Sequence, residues 1–400
     1  MTGKWLPSLG LAISGAALAA MTACSGPTDD AAPSETGTAS TQVEKAAPSR
    51  LPDEVRAEPI RATIAQIRVE CQRNAGGDWG RWVQMLEPYR SSLRVRVQEA
   101  KTFDPMAKGY FEARSPVLQA KDDFPLFECA PKNYLHFVLD PESLEPFRKE
   151  RSVAAASRWL KQKGIDLVFV PVPKMTEVYP EKFADGSPAD RIIAPQVRRL
   201  WLELLEADVE VVDLLPTFLV ERDAGQGYLY LPADPHWAPR AHAIGARVVA
   251  DRLKRYDFVS RAQTGPPICR AVEMPFTPIA ETAGYAALNP EQRVRAEKAH
   301  PKTHTQVANL EGKFFHSTQS PVLVIGNSYN AWFRDLLGKE LNTALHYHDA
   351  GGQTTEAFGD MLRDPDMLKD VKVVVWVTTH NALDAFKPLP KPIREAAGAK

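Results

Sequence analysis

From Tyr134 onwards the apolar positions alternate between short continuous runs and stripes of helical spacing. Tyr134–Leu139 reads as a strand, Leu144–Lys163 as a helix and Asp166–Val172, rich in β-branched residues, as a buried strand. Pro195–Leu205 is helical, Val209–Asp213 a strand, and Arg240–Tyr256 a helix with Ile244, Val248, Val249 and Leu253 on one side. Polar and proline-rich residues from Gln263 to Ser320 break the rhythm and read as an insertion. It resumes with a strand at Val322–Ile325, a helix from Ala331, a strand within Thr343–His348, a helix at Glu356–Leu362 and a buried strand at Val371–Val377. Short apolar strands separated by helices predict an α/β domain with a mostly parallel sheet over residues 134–387. Before it, the spacing Ile60, Ile64, Ile67 predicts one helix, and the rest of a 53–133 extension reads as loop-rich. After it, residues 388–400 are rich in Pro and Lys and read as a disordered tail.

The N-terminus has a different pattern. Lys4, an apolar and small-residue run from Leu9 to Met21, and Ala23-Cys24 make residues 1–23 an export signal. The run is shorter than the roughly 20 apolar residues a spanning helix needs. Met21-Thr22-Ala23-Cys24 resembles a bacterial lipobox, which implies a lipid on the Cys24 thiol; plain secretion and a retained anchor are the alternatives. Residues 24–52 carry Ala, Ser, Thr, Pro and acidic side chains with almost nothing large and apolar, the composition of a disordered tether. With Cys24 lipidated, Cys71, Cys129 and Cys269 remain, which in an oxidising compartment leaves one disulfide and one free thiol. Cys71–Cys129 is the favoured pairing because both precede the region that carries the chemistry, although connectivity is not readable from sequence. A formal net charge of -1 over 400 residues gives no footprint for nucleic acid.

Candidate chemistry sits at two places. Pro321-Val322-Leu323-Val324-Ile325-Gly326-Asn327-Ser328-Tyr329 is a buried strand running into a turn and a helix, so Ser328 falls at the carboxyl edge of a parallel sheet. A serine there has an exposed hydroxyl and a backbone N–H at the positive end of a helix, as a nucleophile that stabilises an oxyanion requires. Equally, it has the form of an ordinary helix cap. In Asp234-Pro235-His236-Trp237 an acid and an imidazole lie two residues apart, able to orient and supply a general base; a capping Asp beside a surface His is the plain alternative.

Together with Val170-Pro171-Val172-Pro173-Lys174 and Val178-Tyr179-Pro180-Glu181, these motifs resemble, in order, those of the alginate O-acetyltransferase family (AlgJ/AlgX-like), over roughly Tyr134 to Leu383. The resemblance implies an SGNH hydrolase-like three-layer sandwich in which Asp234 orients, His236 is the general base and Ser328 is the acylated nucleophile. It also implies acetyl transfer to exopolysaccharide hydroxyls outside the cytoplasm, with a membrane-bound O-acyltransferase as the source of acetyl groups. Asn327, Tyr329, Trp237, Lys174, Tyr179, Gly352 and Asn381 are candidate oxyanion or substrate contacts, each with a structural role as the alternative. Thr378-Thr379-His380-Asn381 departs from the acidic and basic pair usual in the family at that point. His346-x-His348-Asp349 and a His300/His304 pair on one helix face read as structural or solvated rather than as a metal site. Nothing has the form of a nucleotide-binding loop, so no cofactor is implied. The expectation is a periplasmic, lipid-anchored polysaccharide O-acetyltransferase. An acetyl-polysaccharide esterase and a non-catalytic polysaccharide-binding or assembly subunit are the rivals.

Overall fold

Five strands form a wholly parallel sheet at the centre of the molecule. The computed structural model describes residues 51–102, 116–122, 124, 127–129, 135–145, 147, 152–224, 227–232, 234, 236–276, 288–313, 315–349, 354–380, 383 and 388–396. A small antiparallel sheet comes first, from β1 (Lys101–Thr102), β2 (Pro116–Gln119) and β3 (Phe127–Cys129). The central sheet takes β4 (Asp166–Val172) and β5 (Glu210–Val211) from the first half of the domain. A two-stranded antiparallel ribbon, β6 (Cys269–Pro275) with β7 (Thr303–Asn309), projects between the halves. The remaining central strands are β8 (Val322–Gly326), β9 (His346–Asp349) and β10 (Val373–Thr379), and the order across the sheet is β5-β4-β10-β8-β9. Every position of β4, β8 and β10 is buried, so helices cover both faces and alternation gives way to unbroken runs of Val, Leu and Ile.

The parallel register brings the ends of β4, β10 and β8 side by side: Val172 pairs with Thr379, and Gly326 with Val377. Lys174, His380 and Ser328 therefore leave the sheet along one edge. Behind that edge the helices Pro239–Leu253 and Ala331–Leu341 pack against each other.

Several expectations are corrected. Leu135–Leu139 is a short helix rather than a strand, since a brief apolar run fits either state and no strand among the described residues pairs with it. The extension is largely helical: Asp53–Ala75 is followed by Trp79–Met85 and Glu87–Glu99, and these helices belong to the same compact unit as the central sheet. In place of a disordered tail, Lys391–Ala396 is a helix docked on Ser152–Gln162, where Leu389 and Ile393 are buried and Gln162 Nε2 donates to the Ala396 carbonyl. Cys71 is a free, buried thiol packed with Ala75, Trp82 and Ile192, so the bridge to Cys129 is not formed. The Cys129 side chain and all of residues 1–50, including Cys24, lie outside the described residues.

Candidate active site

Ser328 is exposed between two buried neighbours, Asn327 and Tyr329. It opens a single 3-10 turn, Ser328–Asn330, that leads into the helix Ala331–Leu341. Asn327 holds the turn, its side-chain oxygen accepting from Tyr329 N–H at 3.2 Å and its carbonyl from Asn330 N–H at 2.8 Å. Gly326 is needed for close approach: a Cβ there would meet the Val377 carbonyl at 2.8 Å and Asn330 Cβ at 2.9 Å. Ser328 thus stands clear of the sheet with its backbone N–H at a helix start, where developing negative charge is favoured.

The second half of the site comes from a tight excursion between Leu229 and Ala238. Tyr230 and Trp237 pair as an antiparallel bridge, and Leu231 N–H and Ala238 N–H bond back to the His236 and Leu229 carbonyls at 3.0 and 2.8 Å. Three side chains fasten it to the sheet edge. Tyr230 donates its hydroxyl to the Pro173 carbonyl after β4. Leu229 N–H donates to the Tyr179 hydroxyl at 3.1 Å. The Trp237 indole N–H donates to the Tyr329 carbonyl at 2.9 Å, so the loop is tied directly to the residue after Ser328.

Held this way, His236 lies between the other two residues. Its Nδ1 is 2.6 Å from Asp234 Oδ1, which also accepts the His236 backbone N–H at 2.8 Å, and its Nε2 is 2.9 Å from Ser328 Oγ. A carboxylate only accepts, so the neutral ring carries its proton on Nδ1 and offers Nε2 to the serine hydroxyl. Asp234 is buried, which alone would raise its pKa. The hydrogen bonds and charge of His236 outweigh that penalty and hold the carboxyl below its ordinary range. The arrangement can accept a proton from Ser328 as its oxygen attacks, and return it to a leaving group.

The remaining candidates divide. Trp237 is fully buried, stacked on Phe333 at 5.5 Å, and has no face for a sugar; it seals the loop. Tyr179 is buried with the Arg222 guanidinium over its ring, and also supports the loop rather than touching substrate. Lys174 is buried and donates to the Tyr329 hydroxyl at 3.2 Å, so neither side chain is open to an acceptor. Asn327 spends its side-chain oxygen on the turn. Gly352 and Asn381 lie outside the described residues.

One of the two histidine clusters departs from its expected form. His300 ends the helix Pro290–Ala299 and His304 lies in β7, so they flank Phe276 instead of sharing a helix face. His348 Nε2 lies 2.7 Å from Asp360, while the His346 ring faces His316. Among the described residues no group of three or more His, Cys, Asp or Glu side chains is arranged for a metal ion.

Three contributors escape sequence reading. Glu177 accepts from Lys174 N–H at 2.9 Å, and its carboxylate sits 2.6 Å from His380 Nδ1, joining the ends of β4 and β10. Tyr230 has no motif around it. His300 arrives from the insertion and feels the charge of Asp234.

Comparison with known proteins identifies the family and the fold. The "Probable alginate O-acetylase AlgJ" of Pseudomonas syringae pv. tomato is 32% identical over 255 residues, covering 57% of this chain and 62% of that protein. Its counterpart in Pseudomonas fluorescens is 26% identical over 182 residues, covering 43% and 44%. The chain thus spans less than two thirds of the length of either relative. Among solved structures, the O-acetyltransferase domain of Pseudomonas putida AlgJ matches with a TM-score of 0.50 at 19% identity, over 71% of this chain and 99% of that one, which shows a shared fold. The family model described as SGNH hydrolase-like domain, acetyltransferase AlgX, matches residues 137–379 and takes in Lys174, Asp234, His236 and Ser328. With more than half of its length matched and the sheet, loop and serine turn in place, the chain belongs to that family of SGNH hydrolase-like acetyltransferase domains.

Proposed function

We propose that this protein is an extracytoplasmic polysaccharide O-acetyltransferase working through an acetyl-serine. The reading rests on one observation above others: an exposed serine at the carboxyl edge of the sheet, bonded through His236 to a buried carboxylate. In the first half-reaction Ser328 Oγ attacks the carbonyl carbon of an acetyl donor as His236 takes its proton. Collapse of the tetrahedral oxyanion, steadied by the Ser328 N–H, expels the donor's oxygen, which leaves with that proton. In the second half-reaction a sugar hydroxyl gives its proton to His236 and attacks the acetyl-serine, and collapse returns Ser328. Asp234 keeps the ring in its tautomer and stabilises the imidazolium in both steps.

The names carried by its relatives make alginate the acceptor to try first. The net charge of -1 supplies no general attraction for an acidic polymer, so acidic and neutral oligosaccharides belong in the same experiment. Export, lipid attachment at Cys24 and an acetyl supply from a membrane-bound O-acyltransferase complete the proposal, carried by the N-terminal pattern and the family resemblance.

The test uses p-nitrophenyl acetate. A burst of p-nitrophenol and one added acetyl mass on the peptide holding Ser328 are expected, and Ser328→Ala abolishes both. His236→Ala slows the burst by roughly a hundredfold or more, since general-base help is worth about 10²–10⁴. Adding an oligosaccharide should yield acetylated sugar at the expense of free acetate. Acetate alone, whatever the acceptor, would make the protein an esterase, and wild-type turnover by Ser328→Ala would reject the nucleophile.

A further inference from the structure

Beneath His236 lies a buried pair that proton transfer itself does not use. The Tyr329 ring packs against the His236 imidazole, with centroids 4.7 Å apart and planes inclined by 33°. Its hydroxyl accepts from Lys174 Nζ at 3.2 Å, and that ammonium also lies 5.6 Å from the ring centroid. Lys174 is 1% exposed and Tyr329 5%. An ammonium so deep is costly to desolvate, and the chain fixes its place from both ends: Glu177 accepts the Lys174 backbone N–H, and Trp237 fastens the Tyr329 carbonyl.

We propose that Lys174 and Tyr329 form a positioning pair that sets the plane of the His236 ring between Asp234 and Ser328, an inference that rests on the acetyl-serine reading above. His236 is itself partly exposed, and its two nitrogens fix only the line from Asp234 to Ser328; rotation about that line is limited by what lies against the ring face. The Tyr329 ring is that surface, and the Lys174 bond keeps it from turning. Displacement of a catalytic group by about 1 Å can cost on the order of a hundredfold in rate, so this restraint is worth having. The titratable groups near His236 are Asp234 on its own loop, Tyr329 and Lys174 beneath, His242 from the helix behind Trp237, and His300 from the insertion, which acts on Asp234.

The test compares p-nitrophenyl acetate turnover by wild type, Tyr329→Phe, Lys174→Met, the double variant and Ser328→Ala, with the folded fraction of each measured by near-UV circular dichroism. Each single variant should lose kcat by roughly tenfold with KM little changed, and the double variant should be no worse than the poorer single, because the two act as one unit. Wild-type kcat in both singles, or losses that multiply in the double variant, would overturn the pair. If Lys174→Met does not fold, Tyr329→Phe decides alone: a fall in kcat at constant KM supports the inference, and wild-type kcat rejects it. Inactive Ser328→Ala beside unaffected Lys174 and Tyr329 variants rejects only the pair, whereas an active Ser328→Ala removes the acetyl-serine reading and the pair with it.

Discussion

Single side chains in this site owe their behaviour to depth. Ser328 and the outer edge of His236 meet solvent, while Asp234, Tyr329, Trp237 and Lys174 are closed off. His242 shows what that depth does to a titratable group. It is buried behind Trp237, donates from Nδ1 to the Ala238 carbonyl at 3.0 Å, and burial depresses its pKa from 6.5 to about 3. The folded protein therefore keeps it neutral where the unfolded chain would charge it. Above about pH 6.5 it has no linkage effect; as pH falls from there towards about 3 the unfolded state binds the extra proton and stability is lost, by up to about 1.4 kcal/mol per pH unit. Urea unfolding of wild type and His242→Gln at pH 7.5 and pH 4.5 measures this: the variant should gain on the wild type at the lower pH, and a pH-independent difference would contradict it.

At the scale of elements, the strand-to-turn junction at Gly326 and the Leu229–Ala238 excursion carry the site between them. Gly326 shows why the junction tolerates so little. A methyl group on it would come within 3.0 Å of both the Val377 carbonyl oxygen and Asn330 Cβ, so a side chain there must push the Ser328 turn away from β10. Gly326→Ala should destabilise by about 1–3 kcal/mol, as overpacking does. The acylation burst should fall further than the folded fraction, because the displaced element carries the nucleophile. A burst that tracks the folded fraction would show that the turn absorbs the methyl group without moving Ser328. Sequence pattern located β4, β8 and β10 because continuous β-branched runs are a strong signal, and it missed the helix Leu135–Leu139 because five apolar residues carry no period. It could not foresee Tyr230, Tyr179 and Trp237 converging on one loop, since each finds its partner far away in the chain.

Over the whole molecule, the N-terminal helix is part of the domain that carries the site. Arg198 is fully buried and bonds the carboxylates of Glu70, at 2.7 and 2.9 Å, and Asp213, clamping Asp53–Ala75 onto the helix Pro195–Glu206. Losing one member of such a buried cluster would leave charge unpaired in the interior, so this contact makes the extension integral. No helix among the described residues is long and apolar enough to cross a membrane, and the proposed attachment is through a lipid on Cys24. Cys24→Ala is therefore expected to abolish metabolic labelling with a fatty-acid analogue and to move the protein from the membrane to the soluble fraction. Wild-type protein that is already soluble and unlabelled would end the lipoprotein proposal.

By itself the sequence determined the class of fold and the order of the central strands along the chain, and it offered Asp234, His236 and Ser328 as candidates that the family resemblance joined. Those features are written in local terms: β-branched runs, a Gly before a turn, an Asp and a His two residues apart. Tertiary structure decided the rest. Parallel register set the ends of β4, β8 and β10 on one edge, and burial turned Trp237, Tyr179 and Lys174 from candidate substrate contacts into supports. It also kept Cys71 as a lone thiol in an apolar cluster and ordered the segment to Ala396 through Leu389 and Ile393. The physical reason is common to all of these: whether a side chain is exposed, paired or packed depends on neighbours that are distant in the chain and are brought close only by folding.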